Sequence, residues 1–231
     1  APATLSSVSL VSDYTDTTKA GIGSKITLAF TASEQIQTPI VAFNVGNTAV
    51  TGSITITNTG GNDWSAVYYI GSTHPSGALT YTIDHTDMVG NQGTQVTSGS
   101  GSVTVDTVRP TFTSISIASN NSTTSLSKPG NDVTLTMTAS ETIQSPTVVF
   151  TSGSIAVDDT TPTIANTSGD TWTATYTTNI ADTDGSVAFT ITYIDIYGNA
   201  ASAVATAVTD GSSVTFDKTL PTVSSFVMDD V

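Results

Sequence analysis

The chain has 231 residues, enough for one large or two ordinary domains, and a net formal charge of −14 from five basic and 19 acidic residues. Such an acidic chain has no basic surface with which to displace counterions from nucleic acid, so nucleic-acid binding is not expected. Binding to anionic membranes is unfavourable for the same reason. It contains no cysteine, which excludes disulfides, thiolate metal sites and cysteine nucleophiles. Divalent cations are the natural partners of its many carboxylates.

The apolar runs and the start of the sequence bear on the location of the protein. No apolar run approaches the roughly 20 residues that a membrane helix needs, so no direct membrane insertion is predicted. The chain opens at Ala1 without a signal-peptide pattern. We therefore expect either a mature exported form or a piece of a longer protein.

Short segments that alternate apolar and polar residues predict strands throughout the chain. β-branched Thr, Val and Ile dominate these segments, and Gly, Asn, Asp and Ser stand between them. No stretch shows sustained helical periodicity. Turn signals about every 8–12 residues are typical of a β-sandwich. In chain order, the clearest segments are KITLAFTAS (25–33), ALTYTI (78–83), DVTLTMTAS (132–140), TWTATYT (171–177) and VAFTITYI (187–194).

The sequence also repeats itself. TASEQIQTP at 31–39 returns as TASETIQSP at 138–146, and DWSAVYY at 63–69 returns as DTWTATY at 170–176. DMVGN at 87–91 matches DIYGN at 195–199, and SVTVDTVRP at 102–110 matches SVTFDKTLP at 213–221. The repeat is too long for a solenoid unit, so each copy is expected to be a self-contained domain. We predict one domain over residues 1–108 and a second over 109–219.

A third copy is predicted to begin at the end of the chain. In residues 220–231, the spacing of Val223, Phe226 and Met228 matches that of Leu5, Val8 and Leu10 at the start of the first copy. We therefore expect the natural polypeptide to be a longer array, with neighbouring copies as its partners.

The repeated pattern resembles the immunoglobulin-like repeats of bacterial and archaeal cell-surface proteins, such as giant adhesins and S-layer proteins. The resemblance covers nearly the whole chain, although the cysteine pair of antibody domains is missing. It implies an all-β fold of two tandem immunoglobulin-like antiparallel β-sandwiches, with about seven strands each. It also implies an extracellular or cell-surface location, and it names no ligand.

Three segments are expected to meet at the junction of the two copies. In immunoglobulin topology the loop after the second strand and the loop between the last two strands lie at the end where the preceding linker arrives. Carboxylate and amide oxygens gathered there predict a structural Ca²⁺ site, because carboxylates without a cation would repel one another. The residues are Asp106, Glu141, Asp195 and Asn199. Their counterparts in the rest of the array are Glu34, Asp87, Asn91 and Asp217.

Turn chemistry is the alternative explanation for the same residues. Asp and Asn side chains often cap the backbone amides of their own loops. In that case Glu141 merely follows a strand, and Asp106 caps an amide near the rigid Pro110. The sequence leaves both explanations open.

Two other recurring features have simple interpretations. Trp64 and Trp172 occupy the same repeat position, in phase with alanine and tyrosine, which predicts packing in the core rather than a sugar-stacking platform. Three N-x-S/T sequons fall in predicted turns and are candidates for N-glycosylation, although such tripeptides arise by chance in a chain rich in Ser and Thr. They begin at Asn120, Asn121 and Asn166.

Catalysis is not expected. The two histidines, His74 and His85, do not recur in the second copy, and no nucleophile elbow, phosphate loop or zinc-protease motif occurs. We predict a structural module of a cell-surface protein, either an S-layer building block or an adhesin stalk. It would be a rigid rod with Ca²⁺-stabilised junctions, and lateral self-assembly is possible. The alternatives are a module that binds a glycan or protein, for which the divergence of the first copy around Tyr68, Tyr69 and the histidines is the only hint, and the accessory domains of an enzyme.

Overall fold

The alternating segments form strands where the sequence predicts them. In the computed structural model, which describes residues 1–225 and 227–228, the segment at 25–33 forms a strand over Lys25–Ala32, and its repeat forms one over Asp132–Ala139. In both strands every second side chain is buried. The described residues contain no helix, and so none that could cross a membrane.

The chain divides into two compact units, Ala1–Arg109 together with Asp195–Ala200, and Pro110–Ile194 together with Ala201–Val231. The predicted third copy remains a prediction, because Phe226 and residues 229–231 lie outside the described residues.

The first unit has nine strands, two of them only two residues long, which sequence periodicity cannot detect. They are β1 (Leu5–Ser12), β2 (Lys19–Ala20), β3 (Lys25–Ala32), β4 (Ile40–Val45), β5 (Thr48–Ala49), β6 (Thr55–Gly60), β7 (Asp63–Tyr69), β8 (Gly77–Asp84) and β9 (Val103–Val105).

These strands form two sheets with the strand order of an immunoglobulin sandwich. One sheet has the order β1-β3-β7-β6 and the other β2-β9-β8-β4-β5. If β1, β3, β4, β6, β7, β8 and β9 are read as strands A to G, the first sheet is A-B-E-D and the second carries G-F-C. The named strands pair in antiparallel fashion except for β2 and β9, and this short parallel pair is a local departure from the predicted antiparallel arrangement.

The second unit repeats this arrangement strand for strand. Its sheets have the orders β10-β12-β16-β15 and β11-β18-β17-β13-β14, again with one short parallel pair, β11 with β18. Its strands are β10 (Phe112–Ser119), β11 (Leu126–Ser127), β12 (Asp132–Ala139), β13 (Thr147–Ser152), β14 (Ile155–Ala156), β15 (Thr163–Ser168), β16 (Thr171–Thr177), β17 (Gly185–Thr192) and β18 (Thr215–Phe216). The predicted fold of two tandem immunoglobulin-like sandwiches is confirmed.

Each unit has its own hydrophobic core between its two sheets. Trp64 is buried in the first core beside Ala66 and Tyr68, as its phase along the strand predicts. Trp172 is half-buried and packs against the second core. Neither tryptophan forms an exposed platform.

Candidate metal centre

The turn after β8 is organised around one buried carboxylate. Asp87 is 2% exposed, and its Oδ1 accepts hydrogen bonds from the backbone amides of Val89 (3.0 Å) and Asn91 (2.8 Å). The Asn91 amide nitrogen Nδ2 donates to Asp87 Oδ2 over 2.7 Å. The Asp-x-x-Gly-Asn motif is therefore a closed turn in which the aspartate satisfies the backbone donors that the turn exposes.

Acid is expected to destabilise the first unit through Asp87. The hydrogen bond from the Asn91 side chain, assisted by backbone amides of the turn, holds the pKa of Asp87 below its ordinary value of 3.8. Because the folded-state pKa lies below the unfolded-state value, this stabilisation is complete above pH 3.8 and is lost as the pH falls through the folded-state pKa. In a Trp172→Phe background, melting temperatures followed by Trp64 fluorescence should drop on acidification more with Asp87 present than in Asp87→Asn. Equal drops would contradict this role.

The second copy builds the same turn on Asp195, which is fully buried. Its Oδ1 accepts the backbone amides of Tyr197 (2.7 Å) and Asn199 (2.8 Å), and its Oδ2 accepts Asn199 Nδ2 (2.7 Å). Both Asp87 and Asp195 therefore cap the backbone amides of their own turns. This capping does not exclude a cation, because a carboxylate oxygen has lone pairs for more than one partner.

Asp106 lies at the end of β9, within the same compact unit as Asp195. A carboxylate oxygen of Asp106 lies within 4.8 Å of one of Asp195. Two described donors reach the Asp106 side chain, Ser76 Oγ at 2.8 Å and the Val108 amide at 2.9 Å, and both bond to Oδ1. These two hydrogen bonds therefore occupy Oδ1, and not Oδ2, of this half-buried carboxylate.

The Asn199 side chain ties these segments of the first unit together. Its Nδ2 donates to the backbone carbonyl of Asp106 (3.0 Å) as well as to Asp195, and its Oδ1 accepts the backbone amide of Ile22 (2.7 Å). The sequence predicts Asn199 as a ligand through Oδ1, and in the structure that atom already bonds to a donor. The side chain positions both aspartates, and its role as a ligand stays a prediction.

Sequence reasoning missed Gly21, which makes room for the Asp195–Ala200 segment. A Cβ atom on Gly21 would lie 2.5 Å from the carbonyl oxygen of Tyr197 and 2.8 Å from Asn199 Oδ1, too close for any side chain. The second copy has Lys128 at the equivalent position. The contrast between Gly21 and Lys128 is therefore the sequence feature from which this contact could have been predicted.

Changing Asn199 to alanine is expected to raise the hydrogen-exchange rate of the Ile22 amide, because its acceptor is lost. Loss of one hydrogen bond worth about 1 kcal/mol corresponds to roughly a fivefold faster exchange. Asn91→Ala is the matched control, since Asn91 holds the same kind of turn without reaching Ile22. NMR-detected exchange would measure both variants. An unchanged Ile22 rate in the Asn199 variant would contradict the contact.

The remaining predicted ligands occupy less organised positions. Glu34 is exposed in the loop after β3, and no third acidic or histidine side chain among residues 1–225 and 227–228 completes a group with Glu34 and Asp87. Glu141 belongs to the second unit, where it is half-buried in the loop after β12. Asp217 is exposed, and its Oδ1 accepts the Thr219 amide (2.8 Å) just as Asp106 accepts that of Val108.

The candidate glycosylation sites lie on one loop and one strand. Asn120 and Asn121 follow β10 in a loop, as predicted. Asn166 instead lies within β15, beside a bulge, so its prediction as a turn residue is wrong. The strand continues through the sequon because β15 pairs with β16 there, and Asn166 Nδ2 donates to the Gly169 carbonyl. Modification of these residues stays a prediction.

The divergent residues of the first copy do not form an exposed aromatic cluster. Tyr68 is 3% exposed, and its hydroxyl lies 2.6 Å from His74 Nε2. His85 is equally buried, whereas the Tyr69 side chain is exposed. The hint of an aromatic binding platform is therefore not supported at these positions.

Comparisons with known proteins add little beyond the architecture. No protein-family model matches the chain, and no curated protein matches it significantly. Similar solved structures include an I-band fragment of titin, at 12% identity and a TM-score of 0.48, covering 94% of this chain and 66% of the fragment. The N-terminal eight immunoglobulin domains of Down syndrome cell adhesion molecule are similar at 14% identity and a TM-score of 0.39, covering 94% of this chain and 25% of that one. The tandem immunoglobulin repeats of Dlar are similar at 11% identity and a TM-score of 0.27, and the match covers 94% of this chain and 98% of that one. The assignment of the fold rests on the strand order of this chain.

Proposed function

We propose that this chain is a structural module of a cell-surface protein, an S-layer building block or an adhesin stalk, whose junctions between repeats are stabilised by Ca²⁺. The proposal is carried by the approach of the Asp106 and Asp195 carboxylates to within 4.8 Å. Calcium–oxygen bonds of about 2.3–2.6 Å allow one ion to bridge two oxygens at that separation. The strongly negative net charge makes further anionic ligands unfavourable and cations favourable.

The proposed coordination sphere has a clear order of importance. Asp106 and Asp195 supply carboxylate oxygens, and Asn199 holds both residues in place while offering its amide oxygen. Glu141 is proposed as the third carboxylate because its loop belongs to the set that the sequence brings to this end of the sandwich. Backbone carbonyls and water would complete the six to eight oxygens that Ca²⁺ takes.

The proposed mechanical role follows from the chemistry of such a site. An ion held by separate segments of the chain stabilises their folded arrangement by mass action, and it opposes any motion that would separate its ligands. The proline residues Pro110 and Pro221 restrict the backbone that follows each copy. Together these features support a rod that carries load between a cell surface and its surroundings.

Small-angle X-ray scattering of this chain, with Ca²⁺ and then with excess chelator, tests the proposal. We expect the pair-distance distribution to have a well-defined maximum dimension in Ca²⁺. In chelator the distribution should broaden, as hinge motion begins. Identical profiles in both conditions would contradict the Ca²⁺-stabilised junction. Sedimentation in Ca²⁺ separates the two structural roles, because a stalk stays monomeric whereas an S-layer module assembles laterally.

The alternative, a module that binds a glycan or a protein, is favoured by one observation in the first unit. The unit contains a cavity lined by His85, and the second copy has Tyr193 at the equivalent position.

A further inference from the structure

The turn over residues 87–91 of the first copy is fully formed, yet its tip is exposed. Its aspartate makes the same three hydrogen bonds as the aspartate of the second copy's turn, so the two turns are closed in the same way. Met88 is 61% exposed, Val89 is 85% exposed, and Asn91 is exposed as well. Two adjacent large apolar side chains therefore stand on an ordered turn that nothing among the described residues covers.

The equivalent turn of the second copy is covered. Its segment Asp195–Ala200 belongs to the first compact unit, and there Asn199 is 2% exposed while the two residues that correspond to Met88 and Val89 are half-buried. Asn199 Oδ1 accepts the amide of Ile22. In the first copy, the Asn91 side chain bonds only to the aspartate of its own turn within residues 1–225 and 227–228. The first turn therefore lacks the contacts that cover the second.

Four residues of the first copy hold the segment Asp195–Ala200, each in a different way. A glycine leaves space for the backbone of the segment, and a tyrosine ring lies against the glycine of the segment. A backbone amide and a guanidinium donate hydrogen bonds of 2.7 Å and 2.6 Å to the segment. These four residues, here named the receiving surface, are Gly21, Tyr14, Ile22 and Arg109 in that order.

The second copy reproduces none of these four residues, although it folds the same loop. The Gly21 amide donates to Ser24 Oγ, and the Lys128 amide donates to Asn131 Oδ1 in the equivalent turn. The replacements are Lys128 for Gly21, Asn121 for Tyr14, Pro129 for Ile22 and Leu220 for Arg109. Proline has no N–H to donate, and the lysine side chain stands where glycine leaves space. The turn thus occurs in both copies, and the receiving surface occurs only in the first.

We propose that the turn over residues 87–91 docks on a preceding repeat of the first-copy kind, with glycine and a free backbone amide at the positions of Gly21 and Ile22. That amide donates to Asn91 Oδ1, and the surface around it covers the two apolar side chains of the turn. A repeat of the second-copy kind does not cover the turn, so a joint that follows such a repeat lacks these contacts. The inference rests on the proposed array of repeats and adds which kind of repeat docks on the first copy.

Thiol reactivity tests the proposal, because the chain has no cysteine and Val89→Cys provides a single reporter on the turn. The variant is compared in three chains: this chain, the same chain with residues 1–2 replaced by a further copy of residues 1–109, and the same chain with residues 1–2 replaced by a further copy of residues 110–220. With a colorimetric thiol reagent in Ca²⁺, we expect the reporter to react about fivefold more slowly behind the added first copy, the effect of one hydrogen bond. Behind the added second copy it should react as in this chain.

Substitutions in the added first copy identify the contact. Gly21→Lys with Ile22→Pro, made only there, imports residues that the second copy carries in the same turn, so the fold should be kept. We expect this change to restore the fast reaction. Tyr69→Cys, at an exposed site on β7, is the matched control and should react equally in all chains.

Equal reactivity behind both added copies, or protection that survives the two substitutions, would overturn the docking proposal. In that case a melting temperature that still rises with Ca²⁺ would show that the proposed Ca²⁺-stabilised junction stands and that the docking proposal alone has failed.

Discussion

Changing Asp195 to asparagine is expected to remove most of the rise in melting temperature that Ca²⁺ gives the chain, whereas Asp87→Asn leaves the rise in place. Asparagine keeps an oxygen for the backbone amides of the turn and removes the negative charge that attracts the ion. At a free Ca²⁺ concentration of 100 times Kd, a bound ion stabilises the folded state by about 2.7 kcal/mol. For a domain near 100 residues, each kcal/mol corresponds to roughly 4–8 °C in melting temperature. Scanning calorimetry in Ca²⁺ and in chelator measures the difference.

The two aspartates are a matched pair, which makes this comparison decisive. Both accept two backbone amides through Oδ1 and one asparagine amide through Oδ2. Asp195 has the Asp106 carboxylate within 4.8 Å, whereas Asp87 has no such completed group among the described residues. If both variants lose similar stability and neither alters the response to Ca²⁺, turn chemistry accounts for the motif and the calcium proposal fails.

Truncating Phe43 to alanine is expected to destabilise the first unit by about 3–5 kcal/mol, the usual effect of removing a large aromatic side chain from a core. Phe43 is 1% exposed, and its ring lies 6.0 Å from that of Tyr68. Phe150→Ala should have a similar effect in the second unit, where the Phe150 ring lies 4.7 Å from that of Tyr176.

Trp64 lies in the first core and Trp172 packs against the second, so the two unfolding transitions can be observed separately. A Trp172→Phe background leaves Trp64 as the reporter of the first unit, and Trp64→Phe leaves Trp172 as the reporter of the second. Measured by urea denaturation in chelator, Phe43→Ala should shift the Trp64 transition and leave the Trp172 transition in place. Equal shifts at both reporters would contradict two separate cores.

The fold could be predicted because its signal is local and is present twice. Alternation at period two in strands such as β3 and β12 follows from one buried face, and each copy supports the interpretation of the other. The two-residue strands β2 and β5 were not predictable, because so short a segment has no period. The parallel pairing of β2 with β9 depends on how the first strand crosses between sheets, which is a tertiary property.

The candidate site was predictable in outline only. Topology suggested that Asp106 and Asp195 approach each other, and they do so within the first unit, while the binding of Ca²⁺ stays a prediction. The orientation of the Asn199 amide was not predictable, since its Oδ1 bonds to the backbone of Ile22, far away in sequence. The importance of Gly21 depends on its close approach to Tyr197, which the sequence signals only through the contrast with Lys128 in the second copy.

Isothermal titration of the chain with Ca²⁺, followed by the same titration of Asp106→Asn, tests the central claim most directly. The proposed site predicts saturable binding with a dissociation constant at or below the roughly millimolar values of extracellular calcium modules. It also predicts that this binding is lost when the Asp106 charge is removed. Absence of saturable binding, or binding that is unchanged in Asp106→Asn, would contradict a calcium site at this position.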